Sequence, residues 1–288
     1  MQKQNTHISP ENSNRFNHLP GLDLSYDKSA DEVWSELSQA IRLERRINSE
    51  PVSWGFSQKI WWAAAVFIVL LGTGVFMKLY TTDVAAPLGE HITAQLPDGS
   101  SVELNAGSEI EYQPFWWFVN REVALTGEAF FDVKKGDEFS VKSSAGTTSV
   151  LGTSFNIYAR EGDYQVTCYS GRVQVEAFES GHLLEIAPME QATLTKEGGL
   201  RLSTLKNREE VVSWRNEMFM FTATPIKKVF AEIERQYAVK IQTENLPDYL
   251  YSGNFSRNQP LDRVLKMVCR PYGLNFQKTS QGYRIVND

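Results

Sequence analysis

From Ile60 to Met77 the chain runs IWWAAAVFIVLLGTGVFM without one charged residue, and few environments tolerate that. Continued to Tyr80, a helix here would measure about 31 Å at roughly 1.5 Å per residue, matching a hydrocarbon core of about 30 Å. Trp61 and Trp62 mark one membrane interface and Tyr80 the other. A buried core helix would be shorter and would carry a polar stripe. A cleaved signal peptide would lie in the first ~15–30 residues, and Ala85-Ala86 is a weak cleavage site. Arg42, Arg45, Arg46 and Lys59 precede the run, whereas Asp83 and Glu90 follow it with only Lys78 near the exit. The positive-inside rule then puts residues 1–59 in the cytoplasm and residues 81–288 outside. The expectation is a single-pass signal anchor over residues 60–80, with the lipid bilayer as its first partner.

The inner piece is too small for an enzyme. Residues 1–28 are rich in Asn, Gln, Ser and Pro and show no apolar period, which reads as a disordered tail. Residues 29–59 hold an amphipathic helix and a basic juxtamembrane segment. Ser29 and Glu32 have capping-box spacing, and Val33, Trp34, Leu37, Ala40, Ile41 and Ile47 recur at helical steps. Such a helix is marginal alone in water, so its face must be covered by a partner, a copy of itself or the membrane surface. A Trp/Leu/Ile stripe suits helix-in-groove recognition, with Val33, Trp34, Leu37 and Ile41 as the candidate face.

Beyond the span, short alternating runs separated by turns predict an all-β domain over residues 88–205, a sandwich or rolled antiparallel sheet. Pro97-Asp98-Gly99, Gly127-Glu128 and Ser170-Gly171 read as the turns. After Trp214 the period changes. Residues 215–288 read as a small α+β domain, with a strand at Phe219–Phe221 and helices starting at Pro225 (after a Thr224 cap) and Pro260. This region repeats itself. Pro225, Val229, Arg235, Tyr237 and Gln242 align with Pro260, Val264, Arg270, Tyr272 and Gln277 at an offset of 35 residues without a gap.

The chemistry inventory is thin. A net charge of −6 argues against direct nucleic-acid binding. Four scattered histidines and two scattered cysteines, Cys168 and Cys269, make no metal cluster and no nucleophilic triad, so neither cofactor nor enzyme activity is expected. Phe115-Trp116-Trp117-Phe118 is unusual, because alternation cannot turn four consecutive rings inward. It reads as a core lid or as a contact patch for a partner or the bilayer.

Several motifs carry a resemblance. Leu96-Pro97-Asp98-Gly99-Ser100, Leu104-Asn105, Arg121–Leu125, Gly127–Val133 and Val150-Leu151-Gly152-Thr153-Ser154-Phe155 resemble the FecR family of anti-sigma factors and sigma regulators in Gram-negative iron-siderophore and glycan uptake. Trp214, Phe219-Met220-Phe221, Glu234–Tyr237 and Tyr251–Phe255 are similar to the short N-terminal domain of secretins and TonB-dependent receptors, the ending typical of the Bacteroidetes variant. The resemblance implies an inner-membrane protein with a cytoplasmic N-terminus and a periplasmic C-terminus. It implies two partners: an extracytoplasmic-function sigma factor inside, and the signalling domain of an outer-membrane TonB-dependent transducer in the periplasm. It also implies a possible self-cleavage point between Gly152 and Thr153, by attack of the Thr hydroxyl on the preceding carbonyl. A membrane-anchored periplasmic carbohydrate-binding module, using Trp116 and Trp117, is the alternative.

Overall fold

A computed structural model describes residues 28–47, 58–207, 209–243 and 246–287. The expected tail lies, but for Lys28, outside the described residues, as does most of the juxtamembrane segment. The chain parts into two units at the Ala65–Val66 bond.

Helix α1 spans Ala30–Ile47, with Asp31 and Glu32 in its first turn, where carboxylates favour the helix dipole. The Ser29 carbonyl accepts from the Val33 amide to start it. Helix α2 spans Gln58–Leu79, and none of its residues is buried. It is the one helix among the described residues long and apolar enough to cross a membrane. At 22 residues it reaches about 33 Å. The protein is a single-pass membrane protein carrying a β domain.

That domain follows directly. Its first strands are β1 (Thr82–Ala86), β2 (Ile92–Gln95), β3 (Ser101–Leu104), β4 (Ser108–Tyr112) and the long β5 (Arg121–Asp132). Then come β6 (Phe139–Lys142), β7 (Gly146–Val150), β8 (Ser154–Arg160), β9 (Asp163–Ser170) and β10 (Val173–Ala177). β11 (Leu183–Ile186), β12 (Glu190–Leu194) and β13 (Leu200–Thr204) complete it. Pairing runs β1-β4-β5-β6-β7-β10-β11 on one side and β2-β3-β5-β8-β9-β12-β13 on the other. Strand β5 belongs to both. Its first half pairs with β4 and β6, its second half with β3 and β8.

The corner is at Gly127. The sequence suggests a turn at Gly127-Glu128, but the strand passes through, with a φ of +103° at Gly127. A Cβ there would lie 2.8 Å from Ser108 Cα, so only glycine lets β5 change sheets this close to β4. Burial follows the corner: outward and inward positions alternate up to Thr126, then Gly127–Phe131 are all buried. The β5–β6 pair is parallel, against the antiparallel expectation. Parallel neighbours need a crossover of roughly a dozen residues, and the second half of β5 together with the loop over residues 133–138 supplies it. Both inner faces share one core that includes Leu104, Phe131, Phe139, Phe155, Tyr164 and Val173.

A 3₁₀ turn at Ser213–Asn216 leads into the second domain: β14 (Met218–Pro225), α3 (Ile226–Tyr237), β15 (Ile241–Gln242), β16 (Leu250–Ser256), α4 (Leu261–Cys269), β17 (Leu274–Thr279) and β18 (Gly282–Asn287). β14 pairs with β16, while β15 and β17 flank β18. Ile226, Val229, Phe230 and Ile233 of α3 meet Val264, Leu265 and Val268 of α4 in a separate core. Pro225 caps α3 and Pro260 caps α4, with no side-chain cap bond at either; the Thr224 hydroxyl contacts Thr222 O instead. Cys168 and Cys269 are free thiols, buried in different cores.

Candidate functional site

Among the described residues no group of His, Cys, Asp and Glu could hold a metal ion. What the molecule offers instead is surfaces, and one buried polar junction.

The first surface is on α1. At about 100° per residue, Val33, Trp34, Leu37 and Ile41 fall within one arc of roughly 100°. Trp34 is 71% exposed, Ile41 55% and Leu37 49%. Large apolar side chains grouped this way on one helix are the usual anchors of helix-in-groove binding. The tryptophans at the start of α2, Trp61 and Trp62, are exposed too, as is Tyr80 just past its end.

The junction joins the β domain to the second domain. Glu128 is 6% exposed, and its two carboxylate oxygens accept from Asn105 Nδ2 (2.8 Å) and Asn156 Nδ2 (3.0 Å). Gln236 of α3 donates to Asn105 Oδ1 (2.6 Å) and Glu232 Oε1 (2.8 Å), and its Oε1 meets His91 Nε2 at 3.0 Å. Arg235 grips Glu232 Oε2 through Nε and Nη2, while its Nη1 reaches Glu161 on the β domain at 3.2 Å. Arg257 donates to Gly89 O and to Glu217, and Lys228 pairs with Asp163. Gly89 N bonds Arg235 O at 2.7 Å, completing the clasp.

Electrostatics divide the two buried carboxyls. Burial, reinforced by the Glu232 charge, pushes Glu128 up to about 7 against the opposing pull of Arg160. Burial works on Glu232 in the same direction, but Arg235 and Arg160 outweigh it and hold that group below the usual carboxylate range. Of the two, Glu128 is thus the one that takes up a proton first as pH falls, while Glu232 keeps its charge. Burial also lowers His91, keeping its ring neutral beside Trp214, whose indole it meets edge-on at 5.2 Å. A cavity of about 410 Å³ opens at this junction, lined by Glu128, Tyr158, Trp214, Phe219, Lys228 and Glu232 among others. Outside it, Arg215 makes two bonds to Glu103 (2.6 and 2.8 Å) and covers the Phe130 ring at 3.9 Å, strapping the linker to β3 and β5.

In the sequence Glu128 reads as part of a turn ahead of an alternating strand, with no acid/base role; in the fold it lies inside β5. The signal that could have found the junction is the coincidence of Asn105, Glu128 and Asn156 with α3's Glu232 and Gln236, and no periodicity reveals such a meeting.

The aromatic run at Phe115–Phe118 is split. Trp117 is 5% exposed and packs edge-on against Tyr112 and Phe139, so it belongs to the core and not to a contact patch. Trp116 is half-buried, whereas Phe115 and Phe118 stay exposed. The two-tryptophan platform that a saccharide-binding module would use is thereby lost. At Gly152 φ is +148°, and a Cβ would come within 2.6 Å of Lys135 Cα. Thr153 beside it is buried, and its hydroxyl has no hydrogen-bond partner among the described residues.

Two family models match these two domains: FecR protein over residues 82–174 and FecR, C-terminal over residues 218–286. The chain belongs to the FecR family. No curated protein matches it. Two crystal structures of candidate anti-sigma factors from Parabacteroides distasonis are similar to this FecR-family chain at 28% identity. One covers 73% of this chain and 100% of its own, with a TM-score of 0.67. The other covers 72% and 99%, with a TM-score of 0.66. The FecR-family assignment makes this a regulatory, anti-sigma type of protein.

Proposed function

We propose that this FecR-family protein is a transmembrane anti-sigma factor of the inner membrane. Its N-terminal segment holds an extracytoplasmic-function sigma factor in the cytoplasm through Val33, Trp34, Leu37 and Ile41. Its domains beyond α2 stand in the periplasm, where the α+β domain receives a signal from the signalling domain of an outer-membrane TonB-dependent receptor. The observation that carries this reading is the exposed apolar face of α1, on a helix that also bears basic residues. The basic residues before α2 and the acidic ones after it support the orientation.

The test is the double variant Trp34→Ala, Leu37→Ala in the full chain. Truncating two interface anchors typically costs about 2 kcal/mol or more each, so co-purification of the sigma factor should fall at least tenfold. Undiminished co-purification would show that the face serves something else.

A further inference from the structure

The loop between β4 and β5, residues 113–120, reads QPFWWFVN and contains no charged residue. Its position is set by register. The chain leaves α2 at Leu79 and enters β1 at Thr82, and Thr82 pairs with Tyr112, the last residue of β4. The loop that follows Tyr112 therefore stands at the end of the sheet where the chain emerges from the membrane-spanning helix. Ring contacts confirm the juxtaposition: Tyr80 packs on Phe76 of α2 at 5.7 Å and on Phe115 of the loop at 5.2 Å. Trp117 points inward and pins the loop to the core against Phe139. Beneath it, Arg121 holds the stem by bonding Asp98 and the Asp137 and Lys134 carbonyls. The outward residues are Phe118 (80% exposed), Val119 and Phe115, with Trp116 half-buried between them.

We propose that this loop seats in the headgroup region of the leaflet from which α2 emerges, so that the β domain rests on the membrane. The occupant of the patch follows from continuity. Tyr80 ends a helix whose neighbours are lipid, and Phe115 extends that aromatic end by one ring. Aromatic side chains with an apolar body are the ones enriched at this depth. An apolar cluster next to a bilayer reaches lipid without the encounter that a soluble partner would require, and an uncharged tip avoids the cost of burying charge. The seat also gives the run of four large side chains a division of labour: one ring anchors the loop, and the others meet the bilayer.

A nitroxide at Phe118→Cys in the full chain, reconstituted in phosphatidylethanolamine–phosphatidylglycerol vesicles, tests this. The native Cys168 and Cys269 are buried, with thiols pushed up by burial to about 11, and do not compete for the label. Phe178→Cys is the control, an exposed position at the opposite end of the same sheet, since Ala177 pairs with Gly146 while Val173 pairs with Val150. The ratio of oxygen to water-soluble nickel-chelate collisions should be about tenfold higher at position 118 than at 178, as for an interfacial side chain. Equal ratios would overturn the seat. Protection of position 118 from both reagents would overturn it as well, in favour of a protein contact. Because position 118 is exposed, the substitution leaves the core intact. A Val119→Cys label should repeat the result.

Discussion

Glu128 stands in a stretch, Gly127 to Val133, that reads from sequence as a turn and an alternating strand. In the fold it is a carboxyl held near pH 7 by burial. A folded pKa raised from 4.5 to about 7 means that the folded state keeps a proton the unfolded chain has released. The contribution is therefore largest below about pH 4.5 and shrinks as pH rises toward 7, by at most about 3 kcal/mol. Glu128→Gln should flatten this slope, leaving stability at pH 5 little changed and raising it at pH 8. Thermal melts across that range check it, and parallel slopes in the two proteins would refute it. Thr153 supports a second prediction at this scale. The backbone at Gly152 is held in a conformation that side-chain-bearing residues rarely adopt, and the neighbouring hydroxyl is unspent on any hydrogen bond among the described residues. We propose that the cleavage which the FecR resemblance implies takes place here: the Thr153 hydroxyl takes the Gly152 acyl group from its own nitrogen and water hydrolyses the resulting ester, which predicts two fragments on a denaturing gel of cell-derived protein and one full-length band for Thr153→Ala. A single band from the unaltered chain ends that proposal.

Helix α3 shows what an element can do that a residue list does not. One face, Ile226, Val229, Phe230 and Ile233, fills the second domain's core; an adjoining edge, Glu232, Arg235 and Gln236, locks onto the β domain. The apolar stripe is visible in sequence, but the edge looks like an ordinary solvated face. Glu232→Ala takes from Arg235 its two-pronged partner and leaves it only the contact to Glu161, and breaking a largely buried pair from one side costs up to roughly 3–5 kcal/mol. The expected result in calorimetry is that the second domain melts earlier than the β domain. Co-melting at the original temperature would contradict it. The repeat is also an element-scale fact. Each half is a strand, a helix and a strand (β14-α3-β15 and β16-α4-β17), and the two leading strands pair with each other. The left-handed residues that close the helical segments, Ala238 (φ 52°) and Gly273 (φ 62°), stand at the same 35-residue offset as the two prolines. Such a turn is easiest for glycine, so the first copy keeps the geometry without the residue that favours it.

At the scale of the whole chain, the described residues run in the order of an apolar helix face, a candidate span, a β domain and a second domain clasped to it, which is the order the proposed relay uses. On the proposed function, deleting residues 215–288 should abolish capture of the receptor's signalling domain while leaving sigma-factor binding in place. Full-strength capture by the shortened chain would move the site to the β domain. The span, the α1 stripe, the change of period after Trp214 and the 35-residue repeat were all legible in the amino-acid order, because each is a local pattern that solvent or lipid imposes on neighbouring residues. The corner at Gly127, the inward turn of Trp117, the opposite shifts of Glu128 and Glu232 and the meeting of Tyr80 with Phe115 were decided only by tertiary structure. Each depends on which distant segment arrives alongside, and a short-range pattern carries no record of that.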